Sequence, residues 1–171
     1  MIGCGVEIPA GVKGDVVPFD PDALRWSKII ICTDADEDGF QIRTLLLTMF
    51  YRLLPTLIEM KKIYIAESPL FEITAGSETL FAYSEQEKQA IVSRLGDRSY
   101  TLQRSKGLGE NEPDMMWQTT MNPETRRLIM ITPSDAEETV RVFETLMGDA
   151  LQERKKYIEE NGYKYLAEAD V

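Results

Sequence analysis

Histidine is missing from all 171 residues of the chain. Its absence removes the commonest general base of enzyme chemistry and the commonest protein ligand for zinc, copper and nickel. Any bound metal is therefore expected to be held by oxygen, which points to magnesium, manganese or calcium. Cysteine is nearly absent as well. Cys4 and Cys32 are the only two, and Cys32 lies within an apolar run, so they read as buried or free thiols and not as a disulfide framework or a zinc site. No uncharged apolar run reaches the length of about 18 residues that a membrane span needs, and no charged-then-apolar leader is present. The reading is cytoplasmic, with no membrane partner. Positive charge is scarce: 19 Lys and Arg stand against 29 Asp and Glu, a net charge of −10. A free-standing, electrostatically driven nucleic-acid binder is normally basic. If this chain handles nucleic acid, another polypeptide supplies the positive surface. There is also no glycine-rich phosphate loop followed by Lys-Ser or Lys-Thr.

Hydrophobic residues make up 43% of the chain, enough for a proper core. The first residues, "MIGCGVEIPAGVKGDVVPFDPDAL", are rich in Gly, Pro and Asp and read as a linker or loop. Residues 28–33, "KIIICT", form a short β-branched run expected of a strand buried on both faces in a parallel sheet. From about Gln41 the period changes, with Ile42, Leu45, Leu46, Met49, Phe50 and Leu53 at helical spacing. Pro55 should kink or end that helix, with a short segment continuing to about Met60. "KIYIAES" then reads as a second strand, completing a strand–helix–strand unit.

Beyond Pro69, two short strands around Ala75, Gly76 and Ser77 read as a hairpin. Helix is expected over 85–95 and strand at "SYTLQRS". The loop "KGLGEN" then leads into a helix near Pro113, where proline is tolerated. "RRLIMITP" reads as a strand. A long helical region follows, entered through a capping box of Ser134 with Glu137 and fraying near Gly162.

Asp34, Asp36 and Asp38 stand on alternate positions at the end of the first strand. On extended backbone such residues face one side, at the carboxyl end of a strand where open α/β sheets place their ligands. At roughly 6 Å and an effective dielectric near 20, each like-charge pair costs about 3 kcal/mol, which a cation would offset. Asp38 has a second reading, as a helix cap with Gln41. A calcium loop of the EF-hand kind starting at Asp34 fails, because its twelfth position is Leu45 where a bidentate Glu is needed and a strand precedes it in place of a helix. A phosphohydrolase of the haloacid dehalogenase kind, with Asp34 as nucleophile and Asp36 as acid/base, fits poorly, because Asp38 stands where that family wants Thr or Val.

The stretch "LRWSKIIICTDADEDGFQIRTLLLTMFYR" resembles the toprim segment of the B subunits of bacterial type IIA topoisomerases, DNA gyrase and topoisomerase IV. The similarity continues in the family's order through "YIAESPLFEI", "QRSKGLGE", "MWQTTMNPETRRL" and "VFETLMGDALQERKKYIEEN". The chain departs from the family pattern at Ser27 and Gln41, where histidine is common, and at Glu112, near where Met-Asn commonly precedes proline. With all three aspartates kept, these differences read as a divergent branch or paralogue.

The resemblance implies an α/β fold, a toprim-type parallel sheet flanked by helices, followed by an α+β tail. It divides the chain into a linker or truncated part of toprim (1–27), a toprim core with the acidic motif (28–69) and a C-terminal tail (70–171). It implies a Mg2+ site, with Mn2+ as a substitute, in which Asp34 bridges the metal positions, Asp36 holds the other ion and Asp38 supports, with Asp34 and Asp36 catalytic. The nucleophile would be a tyrosine of the partner A subunit, acting on double-stranded DNA in an A2B2 heterotetramer. Lys106, Gly107, Gly109 and Glu110 become candidate contacts to DNA or the A subunit, with a plain surface turn as the alternative. By the same comparison, a glutamate in a Glu-Gly-Asp-Ser segment and an ATPase module belong to the longer subunit. The 171 residues are then expected to lack the first acidic strand, to bind no ATP and to be inactive alone. A non-catalytic docking module for the A subunit or DNA, its acidic triplet idle, is the alternative.

Overall fold

The computed structural model describes residues 2–7, 16–105, 107–133 and 136–165, with the side chains of Glu110 and Ala136 outside the description. Among the described residues, six strands and six α-helices follow in the order β1 (Ile29–Ile31), α1 (Glu37–Leu53), α2 (Pro55–Glu59), β2 (Ile63–Ala66), β3 (Phe71–Ala75), β4 (Glu78–Ala82), α3 (Glu85–Leu95), β5 (Thr101–Arg104), α4 (Pro113–Met116), β6 (Leu128–Met130), α5 (Ala136–Met147) and α6 (Leu151–Asn161). This is a mixed α/β fold with small sheets. It divides into two compact units, one built from Trp26–Leu46 and Lys62–Ile131, the other from the described residues of Met1–Arg25, Leu47–Lys61 and Thr132–Val171.

The first unit holds both sheets. β1 pairs in parallel with β2, Ile29 opposite Ile63 and Ile31 opposite Ile65, as a strand–helix–strand unit requires. β6 joins the other side of β2 antiparallel, with Leu128 opposite Ala66 and Met130 opposite Tyr64. The sheet is thus mixed where a parallel one was expected. An antiparallel edge strand on an otherwise parallel sheet is common, and this one is reached through a second sheet and α4, not through a crossover helix. The order β1-β2-β6 makes β2 central. Accordingly Ile63, Ile65 and Ala66 of β2 are all buried, whereas β1 buries Ile31 and leaves Ile29 and Ile30 half-buried.

The second sheet runs β4-β3-β5, antiparallel throughout. Its hairpin closes at Gly76 and Ser77 between the paired residues Ala75 and Glu78. Gly76 takes φ 65°, a left-handed value that a two-residue hairpin turn demands and glycine adopts without strain. α3 packs its apolar face here, so that Ile73, Ala82 and Leu95 form a buried cluster flanked by Phe71, Leu80, Ile91 and Val92. Ser84 caps α3 by accepting the Glu87 N–H at 3.1 Å. Glu87 reaches back to the Tyr83 N–H at 3.2 Å, a variant of the capping box. α4 continues through Trp117–Met121 as a π turn, closed where the Asn122 N–H donates to the Trp117 carbonyl at 2.8 Å.

In the other unit, Pro55 ends α1 and opens α2 at its first position, where its missing N–H is no loss. The carboxylate of Glu7 caps α2, accepting the Thr56 N–H at 3.0 Å and the Thr56 hydroxyl at 2.9 Å. An anion is favourable at a helix N-terminus. Tyr51 stacks on Phe143 at 4.2 Å between centroids. The helical region expected to run on from Ser134 is broken into α5 and α6 around Gly148, where a Cβ would lie 2.2 Å from the Glu144 carbonyl oxygen. Ser134, and with it the expected capping box, lies outside the described residues. α6 buries no side chain, in keeping with its mixed charges, and passes at Gly162 into a short 3-10 turn. Among the described residues no helix is long and apolar enough to cross a membrane.

Candidate functional site

β1 stops at Ile31, and the chain leaves the sheet at its carboxyl end through Cys32, Thr33 and Asp34. Asp36 then starts α1. Its carbonyl accepts the Phe40 N–H at 3.0 Å and its Oδ1 accepts the Gly39 N–H at 2.7 Å, satisfying an amide that the first helical turn leaves without an intrahelical partner. Asp36 is therefore the cap, not Asp38, which sits inside the first turn of α1. The helix begins at Glu37, four residues before Gln41, so the alternate positions do not lie on one extended segment. Gly39 makes this tight turn possible: a Cβ there would lie 2.1 Å from the Asp34 carbonyl oxygen.

A stability test separates the two cap assignments. Asn and Asp cap about equally well, so Asp36→Asn should leave metal-free stability unchanged, while Asp36→Ala should lower it by about 1 kcal/mol. Asp38→Ala loses only attraction to the helix N-terminus, about 0.5 kcal/mol. Urea unfolding in EDTA measures all three, and a larger loss for Asp38→Ala than for Asp36→Ala would return the cap to Asp38.

Asp34 is held from across the chain. The Leu108 N–H donates to Asp34 Oδ1 at 2.8 Å, and Gly107 lies so close that a Cβ would meet Asp34 Oδ2 at 3.3 Å. Gly109 faces open space. Of the loop residues singled out in the sequence, Gly107 thus meets Asp34 and Gly109 does not. Lys106 and the side chain of Glu110 lie outside the described residues.

Arg43 reaches from α1 to this end of the sheet. Its guanidinium donates to Thr33 Oγ1 at 3.3 Å and sits over the Phe40 ring, 5.1 Å from the centroid. Its Nε is buried without a hydrogen-bond partner among the described residues. Burial lowers the guanidinium from its ordinary value, against the pull of Cys32 and Glu67. Burial also pushes the Cys32 thiol up, with Asp34 adding to the effect, while the Ser68 hydroxyl and Arg43 oppose it. The Cys32 thiol thus holds its proton more tightly than an ordinary thiol, although the residue is exposed.

A second charged cluster braces the unit. Arg127 bonds Glu87 at 2.8 Å and covers the Tyr83 ring at 3.9 Å, while the Glu67 N–H donates to the Arg127 carbonyl at 3.1 Å. Arg127 holds the Glu87 carboxyl below its ordinary value, chiefly by the hydrogen bond. The segments after β2 and before β6 are thereby tied to α3.

For a metal, Asp34 and Asp36 each commit Oδ1 to a backbone N–H and keep Oδ2 without a hydrogen-bond partner among the described residues. Among those residues no three Asp, Glu or Cys side chains gather into a group able to hold an ion. The donors suit an open, partly hydrated site for a hard cation and not a closed cage. Magnesium is normally taken in this way, by one or two carboxylates together with waters and phosphate oxygens.

Gly39, Arg43 and the Leu108 amide were not among the residues singled out in the sequence. A glycine directly behind three alternating aspartates, where a helix is starting, was the one readable signal for Gly39.

Residues 8–68 match the family model of the Toprim domain, so the strand-end carboxylates belong to a Toprim-containing protein. Residues 97–159 match the model described as the DNA gyrase B subunit, carboxyl terminus. The chain thus carries a Toprim segment followed by a segment similar to the carboxyl terminus of DNA gyrase B subunits. It is 47% identical to the DNA gyrase B subunit of Thermotoga maritima over 166 residues, 97% of this chain and 26% of that relative. With its namesake from Thermus thermophilus the identity is 47% over 165 residues, 96% of this chain and 26% of the relative. With that of Staphylococcus aureus it is 45% over 152 residues, 88% and 23% of the two chains. The chain thus spans about a quarter of the length of the relatives it matches.

Proposed function

We propose that this chain is the metal-binding part of the B subunit of an ATP-dependent, cytoplasmic type IIA topoisomerase, which cleaves and rejoins double-stranded DNA with an A subunit in an A2B2 assembly. The observation that carries the reading is the attachment of Asp34 and Asp36 to the carboxyl end of β1 within a Toprim match, followed in order by gyrase B carboxyl-terminal sequence. In this reading Asp34 and Asp36 hold the ion through their Oδ2 atoms, and Asp38, one turn into α1, acts on it through water. A divalent ion bound there would stabilise charge developing on the scissile phosphate and on the leaving oxygen. The attacking hydroxyl comes from a tyrosine of the A subunit, so the seven tyrosines of this chain need no catalytic role. Lys106, Gly107, Gly109 and Glu110 contact DNA or the A subunit, and the basic surface that a chain of net charge −10 needs beside DNA is the partner's. ATP binds elsewhere in the whole subunit.

The lack of a three-donor group among the described residues favours one other reading, a docking module whose acidic triplet is idle. Manganese titration of the chain separates the two. Weak binding of Mn2+, competed by Mg2+ and lost on Asp34→Ala and Asp36→Ala, is expected. Equal binding by the parent chain and both variants would remove the aspartates as ligands and leave the docking module.

A further inference from the structure

We propose that the loop at Gly107 and Leu108 is a positioning element for Asp34, its backbone fixing one carboxylate oxygen and leaving the other free to take a divalent cation. The inference rests on the reading of Asp34 as a metal ligand and names what orients it. A carboxylate rotates broadly about its last torsion, so an aspartate at a strand end does not by itself present one oxygen in one direction. Here the Leu108 N–H donates to Oδ1 at 2.8 Å, a charge-assisted bond of the stronger kind. Gly107 leaves the other side open, where a Cβ would meet Oδ2 at 3.3 Å, the carboxyl carbon at 3.5 Å and Oδ1 at 3.6 Å. Only the first is tighter than ordinary van der Waals contact, so a side chain at 107 would press chiefly on Oδ2, the oxygen left for the cation. The loop thus works through its backbone, which explains why glycine stands at 107.

The two glycines of "KGLGE" make the idea separable from general loop stability. Gly107 has φ −145° and ψ 158°, extended backbone open to any residue, so alanine there adds only a methyl group pressed against Asp34. Gly109 also has no positive φ, and no atom of the described residues lies within 4 Å of its added Cβ. Alanine is therefore tolerated by the backbone at both positions, and only at 107 does it touch the carboxylate.

The experiment measures Mn2+ binding, by the electron paramagnetic resonance signal of the free ion, to the 171-residue chain and to Gly107→Ala, Gly109→Ala, Asp34→Ala and the Gly107→Ala/Asp34→Ala pair. Disturbing the surroundings that orient a metal ligand typically costs about 10- to 100-fold in affinity, and that weakening is expected for Gly107→Ala alone, through its methyl group on Asp34, with Gly109→Ala like the parent. In the Asp34→Ala background Gly107→Ala should add no further loss, because the two act through one contact. A Gly107→Ala chain that binds Mn2+ like the parent, while Asp34→Ala does not, overturns the inference and leaves the ligand reading standing. Undiminished binding by Asp34→Ala overturns the ligand reading itself, and this inference with it. Exchange of the Leu108 amide hydrogen gives a check independent of how Gly107→Ala folds. It should be slow in the parent chain and faster in Asp34→Ala; equal exchange in the two would show that no such bond orients Asp34.

Discussion

Asp34→Ala is expected to lower metal-dependent DNA cleavage about a thousandfold in an enzyme assembled from a B subunit carrying these residues, a cognate A subunit and plasmid DNA. The size follows from the role assigned to Asp34. A divalent ion at a transferring phosphate contributes several kcal/mol of transition-state stabilisation, and about 4 kcal/mol is a thousandfold in rate. Asp36→Ala should have an effect of the same order, since Asp36 is the other carboxylate at this end of β1 whose Oδ2 has no hydrogen-bond partner among the described residues. Asp38→Ala should cost about tenfold, the smaller loss expected for a group acting through water. The assay is the fraction of plasmid linearised in a fixed time against Mg2+ concentration. Full cleavage by the Asp34→Ala enzyme at low Mg2+ would sink the metal assignment. The 171 residues with Mg2+ but no A subunit should leave the plasmid intact, because the proposed function takes the attacking tyrosine from the partner. Nicking by this chain alone would revive the phosphohydrolase reading.

The parts of this molecule that could be read from sequence are those set by neighbouring residues. The runs "KIIICT" and "KIYIAES" read as strands from their shortness and branched side chains, and they pair in parallel as read. Pro55 cannot donate a hydrogen bond, and the helix breaks there. Gly76 between two β-branched stretches makes a hairpin, and it does. Less legible was anything decided by contacts between distant segments. "RRLIMITP" announces a strand but not its direction, which depends on the route by which the chain returns to β2. At the start of α1 the sequence offered a cap only as a second reading of Asp38, because Gln41 stands at the reciprocal position, whereas the backbone takes Asp36, where Gly39 lets the turn close against Asp34. The bond from Leu108 to Asp34 spans 74 residues, and no local period encodes it. Arg43 illustrates the same limit: in sequence it is one polar residue of an amphipathic helix, and only the fold shows it bonded to Thr33 at the sheet's carboxyl end.

Gly39→Ala should destabilise the metal-free protein by about 3 kcal/mol, the reverse of the usual effect at such a position. Within a helix, replacing glycine by alanine ordinarily gains about 1 kcal/mol, because alanine surrenders less backbone freedom and is the best helix former. Gly39 lies in the first turn of α1, and its backbone is not in the left-handed region, so propensity alone forecasts a gain. The obstacle is the preceding loop. A Cβ at 39 would lie 2.1 Å from the Asp34 carbonyl oxygen, 2.8 Å from its carbonyl carbon and 3.0 Å from its nitrogen. These are backbone atoms of the residue that ends the strand exit, so no side-chain rotation relieves the collision. Either α1 begins later, losing the bond from the Gly39 N–H to Asp36, or Asp34 moves, losing the bond from Leu108. Both outcomes separate the carboxylates from the geometry that presents them, so Mn2+ affinity should fall together with stability. Urea unfolding in EDTA reads the first effect and Mn2+ titration the second. A rise in stability of about 1 kcal/mol, the ordinary helical gain, would show that the approach of Asp34 to Gly39 is not the constraint that sets the start of α1.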